Sequence, residues 1–272
     1  MNVPVMRACN ILFGVVFAVF STFSCKKRTP GDEILSISCK LEEFTHFGIS
    51  YAFKYDSGNR PTTMSRVRGG GPGYPTLFFE YKDEKLRVIF VEINGNKYPK
   101  TKFEYQNNNL SRVQNFDAYL TDYTSTTINV TLNESIDFRY TSGNKPTGLT
   151  RWFSDEKRQL YKSHESVFEY DSNGNLVRER MHVFARQNVF EADYLYEYFY
   201  DEKPNTRRSL HNFFFSGMES APLVFSTNNM NRLRVTYDSK TFRDQAFNLV
   251  YDPSGNITTD TYQYSGIKWT CE

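Results

Sequence analysis

From about residue 44 onward, apolar and polar positions alternate with a period of two, the spacing that puts one set of side chains on each face of a pleated strand. In Phe103-Glu104-Tyr105 and Phe168-Glu169-Tyr170 the rings share one face and the carboxylate takes the other. The clearest run is Phe190 to Tyr200, with Phe190, Ala192, Tyr194, Tyr196, Tyr198 and Tyr200 on one side. Glu191, Asp193, Leu195, Glu197 and Phe199 lie opposite them. Helical spacing hardly occurs.

Each aromatic strand runs into a turn. The phrase is an aromatic, a polar residue, a tyrosine, then Gly, Asn and Asp. Full copies are Phe53-Lys54-Tyr55-Asp56-Ser57-Gly58-Asn59, Phe138-Arg139-Tyr140-Thr141-Ser142-Gly143-Asn144, Phe168 to Asn175 and Leu249 to Asn256. Looser copies end at Tyr81, Tyr105, Tyr198 and Tyr237. Gly and Asn tolerate the positive φ of hairpin turns, and Asn94-Gly95 and Asn173-Gly174 read as central pairs of type I′ turns. A return strand such as Leu176 to Val183 completes the unit. Repeated hairpins predict an all-β fold, an antiparallel meander of about fourteen to eighteen strands forming one large curled or partly closed sheet. No Pro/Ser-rich or charged linker divides 44–272, which is expected to be a single domain.

Composition supports this, since 24 Phe and 19 Tyr favour half-buried pleated surfaces. Two stretches break the pattern. Between Lys203 and Asn231 the alternation lapses, and Arg207, Arg208, Phe213, Phe214 and Phe215 appear without a period, making either a packing plug or a functional binding loop. Arg68 to Gly73 is too glycine-rich for a strand and reads as a long hairpin tip.

The N-terminus carries separate information. Arg7 precedes an apolar run, Ile11 to Phe23, close in length to the hydrophobic region of a signal peptide and shorter than the ~20 residues of a spanning helix. Ser24-Cys25 follows, then Lys26-Lys27-Arg28. This pattern looks like a lipoprotein signal over 1–24, cleaved before an acylated Cys25, with 25–43 as a lipidated tether. Removing 1–24 removes one charge, Arg7, so the formal +2 falls by one, and the near-neutral remainder has no electrostatic footprint for nucleic acid. Cys9 leaves with the signal, so Cys39 and Cys271 remain as a pair that export to an oxidising compartment would permit to join.

The stretches Tyr170-Asp171-Ser172-Asn173-Gly174-Asn175-Leu176 and Tyr251-Asp252-Pro253-Ser254-Gly255-Asn256-Ile257 resemble the YD (RHS-like) repeat. With the Cys25 signal and Tyr200-Asp201-Glu202-Lys203-Pro204-Asn205, the chain resembles the YD-repeat lipoproteins of Bacteroidetes-type Gram-negative bacteria over about residues 44 to 266. The resemblance implies an envelope location and a curled sheet of hairpins, and with the Cys25 signal the domain is expected to be tethered to an outer membrane. It carries over no catalytic residue.

Motifs for chemistry are sparse. His46, His164, His182 and His211 show no metal-ligand spacing, and no cofactor motif occurs. Asp171, Asn173 and Asn175 imitate a calcium loop with its glycine misplaced, and so read as a turn. Glu80, Glu104, Glu169, Asp193 and Glu197 could supply a glycosidase pair, but alternation on a solvated face accounts for them. The aromatic face could bind sugars or a protein partner, or form the core between layers of a curled sheet. Two functional classes follow: a non-enzymatic binding or scaffold lipoprotein for glycan, peptide or envelope protein, and a polysaccharide hydrolase using unidentified Asp or Glu residues.

Overall fold

The structure, a computed structural model, describes residues 39–46, 48–69, 75–120, 128–185, 189–205, 225–260 and 264–271. Its strands are β1 (Cys39–His46), β2 (Ile49–Tyr55), β3 (Pro61–Arg68), β4 (Leu77–Lys82), β5 (Lys85–Ile93) and β6 (Asn96–Gln106). Next come β7 (Asn109–Leu120), β8 (Ile128–Arg139), β9 (Gly148–Ser154), β10 (Leu160–Tyr170), β11 (Leu176–Ala185) and β12 (Val189–Pro204). The last are β13 (Asn228–Tyr237), β14 (Lys240–Ala246), β15 (Leu249–Tyr251), β16 (Ile257–Asp260) and β17 (Tyr264–Cys271). β1 to β14 pair in chain order, all antiparallel, and β17 returns to pair with β1, giving a fifteen-stranded meander. β15 and β16 form a separate hairpin. The sheet is not closed into a barrel, and β14 and β17 are its edges. β1 begins inside the 25–43 stretch expected as tether.

The Phe-x-Tyr pairs all face inward. Phe79, Phe103, Phe138 and Phe168 are buried in one cluster with Ile89, Val113, Ile136 and Leu176, and the tyrosines of the same phrase pack against it. Each fully buried Phe, Ile or Leu contributes about 1.5–3 kcal/mol. The tyrosine hydroxyls stitch successive units together. Tyr55 donates to Leu41 O (2.6 Å), Tyr140 to Leu110 O (3.0 Å), Tyr170 to Pro146 O (3.0 Å) and Tyr200 to Leu176 O (2.5 Å). Two of the looser copies carry cations over their rings: Arg60 lies over Tyr81, and Lys85 and Arg87 over Tyr105.

Two turn designs end the phrases. In the first, an aspartate carboxylate caps the loop: Asp56 accepts from the Gly58 and Arg60 amides, Asp171 from Asn175, and Asp252 from Asn256. The residue three places after the aspartate takes positive φ: Asn59, Gly174 or Gly255. Asn173-Gly174 is therefore not a type I′ pair, because Gly174 alone has positive φ and the Asp171 main chain closes a longer loop onto Asn175 O at 2.9 Å. Asp155 builds the same turn with Arg158 at positive φ, an instance with neither Gly nor Asn. The second design is the two-residue type I′ turn, found as expected at Asn94-Gly95 and also at Asp83-Glu84, Asn107-Asn108 and Asp238-Ser239.

The outer face is a lattice of ion pairs. Arg112 bonds Asp137, whose other oxygen accepts from Trp152, and Arg139 reaches Glu165 at 2.9 Å. Arg178 sits between Glu169 and Glu197, and Arg232 and Arg234 share Asp244. Such exposed pairs contribute little each. Their importance is that they mark this face as solvated.

The β15–β16 hairpin bridges what no ladder joins. Leu249 packs against the main cluster and against a second one of Leu41, Ile257 and Ile267. Tyr251 donates to Asp201 and lies 3.8 Å beneath the Lys203 ammonium, while Trp269 Nε1 donates to Ile257 O at 2.7 Å. The sheet thus curls until β12 and the β1–β17 pair meet the same hairpin.

Candidate functional site

Followed back along each strand from its Phe-x-Tyr pair, the inner face turns polar. Thr101 donates to Asn115 Oδ1 (2.9 Å), and Asn115 Nδ2 donates to Glu134 Oε2 (2.6 Å). Arg151 Nε lies 3.0 Å from Glu134 Oε1, an ion-pair contact without hydrogen-bond alignment. On the neighbouring strands, Ser166 Oγ donates to Glu179 Oε1 (2.5 Å) and the Tyr198 hydroxyl to Oε2 (2.7 Å). Strand register places these groups in adjacent rows from β6 to β12.

Burial sets their charge. Desolvation pushes the Glu179 carboxyl above the usual range, more than the two hydroxyls and the nearby Arg151 pull it down. Burial, helped by Arg151, lowers His164 to about 4, so its imidazole is neutral at pH 7. Ser163 Oγ shares a 2.6 Å hydrogen bond with His164 Nδ1, and Phe153 stands edge-on to the ring. The belt therefore holds hydrogen-bonding groups with little net charge.

A raised folded pKa has a definite sign in stability. Glu179 binds its proton more tightly folded than unfolded, so its contribution is full below the ordinary value of 4.5 and is lost as pH rises through the raised value. Denaturant melts from about pH 4 to about pH 8 should show the native chain losing stability relative to Glu179→Gln as pH rises. Parallel curves would refute the assignment.

Along β12 the inner tyrosines form a column. Tyr198 stacks on Tyr196 (centroids 6.3 Å, 18°), Tyr196 meets Tyr194 at 6.4 Å, and Tyr194 stacks on Tyr237 of β13 (5.0 Å, 26°). Tyr237 ends the column and is 44% exposed. It lies at the end of the sheet opposite the Asp171 and Asp56 turns, because hairpins of a meander alternate between ends. Val67, Val130, Leu160, Val189, Phe190 and Phe242 are exposed toward that same end.

The residues singled out from sequence fare differently. Cys25, Arg207, Arg208, Phe213, Phe214 and Phe215 lie outside the described residues. The described flanks of the Lys203 to Asn231 segment are core-like: Phe225 packs against Phe138 and Phe168, and Asn205 bonds Thr227 O and Ser226 O. Cys39 is disulfide-bonded, and in the β1–β17 register it stands opposite Cys271. Glu104, Glu169, Asp193 and Glu197 are on the outer face, paired with Arg112, Arg178, His182 and Arg234. His182 is on that face too. Glu134, Arg151 and Glu179 escaped notice in the sequence: Glu134 is in phase with Phe138 and Arg151 with Leu149, where an apolar residue is the rule, whereas Glu179 reaches the inner face through the register irregularity between β10 and β11.

No protein-family model and no curated protein matches the chain. Solved structures do. A porin-like protein from Bacteroides vulgatus aligns over 85% of this chain and 96% of its own, at 12% identity and a TM-score of 0.54. That likeness concerns the fold. A porin-like protein from Bacteroides uniformis aligns over 86% of this chain and 96% of its own, at 16% identity and a TM-score of 0.46.

Proposed function

We propose that the chain is an envelope lipoprotein related to the YD-repeat lipoproteins, tethered to the outer membrane through acylated Cys25. Its curled sheet is a non-enzymatic binding or scaffold module for a glycan, a peptide or another envelope protein. The observation that carries this is the sidedness of the sheet. A membrane-spanning barrel turns an apolar band outward and keeps a polar lumen. Here the rings are inside and the arginine–carboxylate lattice is outside. A shell of that kind sits in water and meets the membrane through its anchor alone. Disulfide-bonded Cys39 suits an oxidising envelope compartment, and we assign Cys271 as its partner.

Both carboxylates of the belt are engaged, Glu134 by a hydrogen bond from Asn115 and an ion-pair contact with Arg151, Glu179 by hydrogen bonds from Ser166 and Tyr198. That favours recognition over turnover. The full chain, incubated with envelope and plant polysaccharides, is expected to retain a ligand without releasing products. Product release abolished by Glu134→Gln or Glu179→Gln would instead establish a hydrolase.

A further inference from the structure

We infer that the exposed end of the tyrosine column, at Tyr237, is a sugar-binding platform for an uncharged pyranose of an oligosaccharide. The inference rests on the binding-module reading above and specifies its ligand and place. Three rings, Tyr198, Tyr196 and Tyr194, follow one another beneath Tyr237, with Tyr196 and Tyr194 tilted by 41° and Tyr194 stacked directly on Tyr237, which holds the orientation of the last ring before any ligand arrives. A preorganised aromatic surface loses little conformational freedom on binding. Tyr237 keeps 44% of its surface exposed, and the flat C–H face of a pyranose is the ligand surface that matches an aromatic ring.

The surroundings choose the ligand's charge. Asp238 and Lys240, at the turn beside Tyr237, are both exposed and of opposite sign. Arg243, inward-facing on β14, has its guanidinium turned onto Gln245. Glu179, in register with Tyr196, is held toward its neutral form. Among the described residues Asp238 and Lys240 offset one another and the Arg243 guanidinium is engaged by Gln245, so a hydroxyl-rich neutral ligand finds donors and acceptors of both kinds.

Titration calorimetry of the full chain in a sugar-free detergent tests this, with cellohexaose, maltohexaose, xylohexaose and mannohexaose as neutral probes and hexagalacturonate as the acidic one. At least one neutral hexamer should bind, more tightly than hexagalacturonate. Tyr237→Ala should weaken it tenfold or more and Tyr237→Trp should keep it, with unchanged melting temperatures because the side chain is half exposed. The site is overturned if none of the neutral hexamers binds, if Tyr237→Ala binds as well as the native chain, or if Tyr237 instead governs adsorption of the Cys25→Ala chain to phosphatidylethanolamine/phosphatidylglycerol vesicles. Retention of a polysaccharide that ignores Tyr237→Ala would sink the platform alone. Release of shortened sugars would sink the binding-module reading itself.

Discussion

Cys271→Ser is expected to cost the folded domain about 4 kcal/mol, lowering its melting temperature by about 8–16 °C. The bond from Cys39 would close a loop containing nearly the whole described chain, so the unfolded ensemble gains the most from its removal. The β1–β17 ladder is also the sole pairing between the chain's first and last described strands, and losing the staple leaves it to side-chain packing around Leu41 and Ile267. Reductant should lower the native chain by a similar amount and leave Cys271→Ser where it is. If both Cys39 and Cys271 label as free thiols in the native, unreduced protein, the pairing is wrong.

Gly148→Ala should cost about 3 kcal/mol, or about 6–12 °C, a large loss for one methyl group. A β-carbon there would lie 2.2 Å from Ser166 O and 2.7 Å from an Arg139 guanidinium nitrogen. Arg139 itself donates to Ser166 O at 2.9 Å and to Glu165 at 2.9 Å, so β9 and β10 would have to part at a bonded junction. Gly143→Ala is the control. Its φ of +78° is strained for alanine but its space is open, and about 1 kcal/mol is expected. Equal losses at the two positions would contradict the close approach at Gly148.

The meander was legible because Phe-x-Tyr and the turn after it are local signals repeated along the chain. Phe103 and Tyr105 reveal their shared face by spacing alone. The return of β17 to β1 was not legible, since pairing between residues at opposite ends of the sequence leaves no local mark. The turns at Asp83-Glu84 and Asp155 were obscure for another reason: residues without glycine's freedom take positive φ there because strand register and the Asp155 carboxylate compel it. The inner polar belt was hidden by its own regularity. Glu134 and Glu179 occupy alternating positions as any solvated carboxylate does; counting by twos from Phe138 places Glu134 inside, but Glu179 comes to lie opposite Phe168 only because the β10–β11 register slips at the turn, which no count along the sequence shows. Glu104 and Glu169, which drew notice first, are one residue out of that phase.

The proposed arrangement is a sheet that is wet outside and held to its membrane at one point, through Cys25. Fractionation of cells expressing Cys25→Ala measures this directly. The native chain should sediment with the membranes and the variant should move to the soluble fraction with its fold intact. A variant that stays in the membrane fraction through an alkaline wash would mean that the sheet itself holds the bilayer, contradicting attachment through Cys25 alone.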